Sequence, residues 1–89
     1  MGVYYWVATS ATNWNGSGWA TTYNGTPTTH TFTSSDTAVF TGAKSGQCTI
    51  NSNFTVGAID FTGGSSGQGA FTGTFTGTST RILDRKSVV

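Results

Sequence analysis

Glutamate is absent from this 89-residue chain, leucine occurs once, as Leu83, and cysteine and proline occur once each, as Cys48 and Pro27. Without Glu and Leu the strong helix formers are scarce, which argues against helical architecture. A lone cysteine excludes an internal disulfide and suits a reducing cytoplasm better than secretion. Charge is equally sparse, at four Lys and Arg against three Asp and a formal net charge of +1. Outside the last nine residues that leaves no basic patch beside the aromatics to hold a nucleic-acid backbone. No apolar run approaches the roughly 20 residues of a membrane span. The start, "MGVYYWVATS", has neither the basic nor the apolar segment of a classical signal peptide. No cluster of Cys, His and Asp has metal-ligand spacing, so neither metal nor cofactor is expected.

What is present is β-forming. Leu, Ile, Val and Phe make up less than roughly a fifth of the chain, a range that borders on disorder when net charge is high. Here charge is low, and three Trp, three Tyr and six Phe supply the burial capacity instead. Thr, Ser and 13 Gly fill most of the remainder. The expectation is an all-β fold with an aromatic core, a small β-sandwich or a short β-helix-like domain over residues 1–80. Strands are expected at Val3–Ala8, Thr37–Phe40, Cys48–Ile50 and Phe54–Phe61, with turns at Asn-Gly-Ser-Gly and Asn-Ser-Asn. In "AFTGTFTGTSTRI", Thr72, Thr74, Thr76, Thr78 and Thr80 share one face and Phe71, Gly73, Phe75 and Gly77 the other. Phenylalanines separated by glycine imply that another backbone approaches closely.

Catalysis has little material. The three aspartates are scattered, His30 lies in "TTHTF" with no acid expected beside it, and Cys48 has no local base. Nothing positions a Ser-His-Asp set, so no catalytic residue is assigned and the chain reads as a non-enzyme. "TGGSSGQG" lacks the lysine and the following helix of a phosphate loop. The threonine row is a single row, as expected of threonine used as a half-exposed β-former rather than as one rank of an ice-binding surface. The aromatics Trp6, Trp14, Trp19 and Tyr23 can serve in two ways. They anchor a core that has almost no aliphatic filling, or they form a platform on which a sugar ring stacks.

The final segment, "RILDRKSVV", carries more than half of the charge: Arg81, Asp84, Arg85 and Lys86. With the apolar Ile82, Leu83, Val88 and Val89 it reads as a basic C-terminal arm, residues 81–89, able to lie along a neighbour's sheet edge. A small domain without disulfide or metal gains stability by association, so a homo-oligomer is expected, a trimer foremost.

The order "YYWVATSATNWNGSGWATT", "GTPTT", "SSDTAVFTG", "CTINSNFTVGAIDFTGG" resembles an opening module of bacteriophage structural proteins and of related β-helical surface proteins of bacteria. The resemblance spans residues 3–64 and rests on Trp6, Asn13-Trp14, Trp19, Pro27, Asp36, Val39-Phe40, Ile50 and Val56–Phe61. It implies a virion structural protein, a capsid decoration or cement protein or a small fibre subunit, assembled in the host cytoplasm and placed on the virion surface. Its partner would be a major capsid or tail protein. The alternative is a carbohydrate-binding or adhesin module using the surface aromatics.

Overall fold

The computed structural model describes residues 2–51, 53–64, 67–77, 82–84 and 87–88. Among these residues there is no helix and there are ten short strands: β1 (Val3–Trp6), β2 (Thr12–Asn13), β3 (Trp19–Ala20), β4 (Thr37–Phe40), β5 (Cys48–Thr49), β6 (Phe54–Thr55), β7 (Ala58–Asp60), β8 (Phe75–Thr76), β9 (Ile82–Asp84) and β10 (Ser87–Val88). The protein is all-β, as its composition implies.

Six of the seven strand pairings among the described residues are parallel, and each of these six joins strands from successive turns of the chain. β1, β4, β7 and β10 form one wall, β2, β5 and β8 a second, and β6 and β9 a third. A sandwich joins antiparallel strands through Greek-key connections, whereas here the links between parallel neighbours are the strands of the other walls. That is a short three-walled β-helix, a solenoid in which each coil contacts the next. The expected 54–61 strand is two strands, β6 and β7, which turn from one wall to another through Val56 and Gly57.

The exception to parallel pairing closes one end. After β2 a short turn brings β3 back antiparallel onto the outer edge of β1, pairing Tyr5 with Ala20 and Trp6 with Trp19, and a long excursion over residues 21–36 then leads to β4. The β3 pairing covers a sheet edge that would otherwise expose unpaired N–H and C=O groups.

Parallel register stacks apolar side chains in columns. Tyr4, Ala38 and Ile59 stand in one column, Trp6 and Phe40 in the next, and Cys48 lies on Phe75 in the second wall. Trp6, Trp19, Ala38, Phe40, Cys48 and Val56 are fully buried. Where hydrocarbon is scarce the core is made of rings. Trp19 meets Trp6, Trp14 and Phe32 edge-on at 4.9, 4.8 and 4.7 Å between centroids. Each buried indole N–H also needs an acceptor. Trp6 Nε1 donates to the Gly46 carbonyl and Trp19 Nε1 to that of Trp14, both at 2.8 Å.

The Phe-Gly alternation serves the same stacking. A Cβ on Gly73 would collide with the Ser45 backbone carbonyl, and one on Gly77, whose φ is +133°, with Ile50 in the coil below. The close backbone approach read from the sequence is therefore made within the chain. Of the long Thr-Phe strand expected there, only β8 forms among the described residues; residues 78–80 lie outside them.

Candidate functional site

At the capped end, the excursion from Thr28 to Asp36 runs beside β1 and builds a polar cluster on an aromatic support. The order Thr-Ser-Ser-Asp at 33–36 closes a turn in which the Asp36 N–H donates to the Thr33 carbonyl at 3.1 Å. The Asp36 side chain turns back, and its Oδ2 accepts from the Thr33 backbone N–H at 2.9 Å and the Thr33 hydroxyl at 3.3 Å. Asp and Thr favour such local side-chain bonds, which is why this turn forms where it does.

His30 completes the cluster. Its Nε2 lies 3.1 Å from Asp36 Oδ2, an N–H donating to a carboxylate, and its ring stacks on Tyr4 at 3.6 Å between centroids. This corrects the expectation that no acid stands beside His30: the turn at 33–36 folds Asp36 back onto it. Asp36 is only 6% exposed. Burial would raise its carboxyl, but the Thr33 N–H, the His30 imidazole and the Thr33 hydroxyl outweigh that cost and hold it below the ordinary carboxylate value.

Next to this cluster lies a cleft of about 170 Å³. Trp14, Phe32 and Phe54 form its apolar side, and Asn15, Thr29, His30, Thr31 and Asn53 its polar side. Three stretches of chain supply these groups: the turn after β2, the excursion, and the start of β6. Trp14 and Phe54 stack at 4.0 Å, which ties the first stretch to the third. The lining holds no lysine, arginine or carboxylate. Such a cleft can accept a small uncharged ligand through hydroxyl, amide and imidazole groups set against an apolar wall.

The residues singled out in the sequence are distributed elsewhere. Trp6, Trp14 and Trp19 are 0, 3 and 0% exposed, so their rings belong to the core and present no open stacking face. Tyr23 is half-buried in the excursion and does not line the cleft. At the C-terminus, the backbones of Ile82–Asp84 and Ser87–Val88 pair in parallel with β6 and β7 of the same chain. Arg81, Arg85, Lys86 and Val89 lie outside the described residues. Cys48 is fully buried, and burial pushes its thiol far up, away from the reactive thiolate. Among the described residues no three His, Cys, Asp or Glu side chains group to hold a metal ion.

Asn53, Phe54 and the 29–31 stretch were missed as site residues because their juxtaposition depends on the register between coils. The Thr-x-x-Asp pattern at 33–36 is a local signal of the turn that organises the cluster. No family model, curated protein or solved structure matches the chain.

Proposed function

We propose that this protein is a non-enzymatic structural component of a bacteriophage virion, a small fibre subunit or capsid decoration protein that acts by binding a capsid or tail lattice. The observation that supports this reading is the capped stack of coils. A β-helix closed at one end by β3 and built from in-register parallel walls is a rigid structural element with a defined polarity. Its buried groups are committed to packing: the tryptophans to the core, the Cys48 thiol to an apolar site and Asp36 to a turn. The resemblance of residues 3–64 to an opening module of phage and bacterial β-helical surface proteins points the same way. On this reading the chain is a homo-oligomer on the particle surface, with a major capsid or tail protein as its partner.

The test is direct. Gradient-purified particles from the source that encodes the chain should contain it in many copies by quantitative mass spectrometry, and labelled antibody should place it on the outside. Its absence from such particles, with the protein accumulating free in the cell, overturns the proposal.

A further inference from the structure

The cleft between the 29–32 segment and β6 brings together groups from three separate stretches of chain. We infer that it is a binding subsite for one uncharged sugar ring. Size sets the first limit: about 170 Å³ is well under the roughly 300–1,000 Å³ of sites for drug-sized ligands, and suits a single ring-sized unit. Charge sets the second. The lining has no lysine or arginine to match a carboxylate or phosphate and no carboxylate to match an amine. Asp36 stands behind His30 with its Oδ2 already occupied by Thr33 and His30.

The third limit is the character of the walls. Half-buried Phe54, with the small exposed parts of Trp14 and Phe32, gives an apolar side for a pyranose, while Thr31, Asn53 and His30 give donors and acceptors for its hydroxyl rim. The polar side is held in place from behind: Tyr4 stacks on the His30 ring and Asp36 binds its Nε2, so the imidazole is oriented before any ligand arrives. This site differs from an exposed tryptophan platform, because Trp14 contributes only a nearly covered ring. It does not require that the chain sit on a virion, so its failure would leave the structural role untouched.

The experiment is an amide NMR titration of the full chain with the methyl glycosides of glucose, galactose, mannose and N-acetylglucosamine, and with glucuronate as a charged probe. A ring of about a dozen non-hydrogen atoms in one subsite should bind at about millimolar strength. At least one neutral glycoside should shift Thr31, His30 and Asn53 saturably, while glucuronate should shift them less. Asn53→Ala, at an exposed position, should keep the melting temperature and weaken that glycoside about 2–10-fold, the loss of one hydrogen bond. Thr31→Ala, also exposed, is the second variant and should behave alike. The inference is overturned if no neutral glycoside shifts these amides, if the shifts fall elsewhere, if glucuronate binds better, or if both folded variants bind as the parent does.

Discussion

Replacing Trp19 by alanine tests the claim that rings hold this fold together. The side chain is fully buried, meets Trp6, Trp14, Phe32 and Phe40 edge-on, and donates its indole N–H to the Trp14 carbonyl at 2.8 Å. Truncating a buried Trp costs about 3–5 kcal/mol, because the walls of the cavity cannot fully collapse. Leaving the Trp14 carbonyl without its donor adds about 1–3 kcal/mol. At about 0.05–0.15 kcal/mol per residue, a chain of this length has only about 4–13 kcal/mol to lose. Trp19→Ala should therefore unfold the protein, or lower its melting temperature by at least about 15 °C, at about 4–8 °C per kcal/mol for a domain of this size. Trp19→Phe keeps most of the ring packing and loses the hydrogen bond, so it should fall in between. Urea unfolding of all three proteins, followed by far-ultraviolet circular dichroism, gives the order directly. If Trp19→Ala melts within about 5 °C of the parent, the cap and its ring cluster are not what holds the first coil, and the reasoning fails.

Gly46→Ala should destabilise by about 1–3 kcal/mol through overpacking, since its Cβ would stand 2.6 Å from the Ala8 carbonyl and from backbone atoms of Ser10; an unchanged urea midpoint refutes this. The lowered carboxyl of Asp36 means that its charged form is favoured in the fold. Its contribution is full above the ordinary carboxylate range and is lost as pH falls through the lower folded value, so Asp36→Asn should flatten the acid limb of the melting-temperature profile. An acid limb identical in parent and variant would count against it. The Thr41 hydroxyl is buried with no hydrogen-bond partner among the described residues. Thr41→Val, matched in shape, should consequently be neutral or stabilising by up to about 1 kcal/mol, and a clear loss in calorimetry would mean that the hydroxyl has a partner after all.

Much was determined by the sequence alone, because its signals are local. Alternation along the first strand set Tyr4 and Trp6 on one face and Val3 and Tyr5 on the other, and a strand at Thr37–Phe40 followed from β-branched and aromatic residues ended by glycine. The shortage of aliphatic residues required that aromatic rings build the core, and the spacing of Phe71, Gly73, Phe75 and Gly77 announced a close backbone neighbour. Only the tertiary structure decided which backbone that was. A period of two reads the same in a sandwich and in a β-helix, since it reports which side of a strand is buried and not which strand lies beside it. The pairing of Val3 with Thr37 and of Phe54 with Ile82 joins residues far apart in the chain, and no local pattern encodes it. The same holds for the cleft: Trp14, His30 and Asn53 come together because β2, the excursion and β6 are stacked by that register. Turns and strand faces are written in neighbouring residues, whereas the site exists only once the coils have chosen their partners.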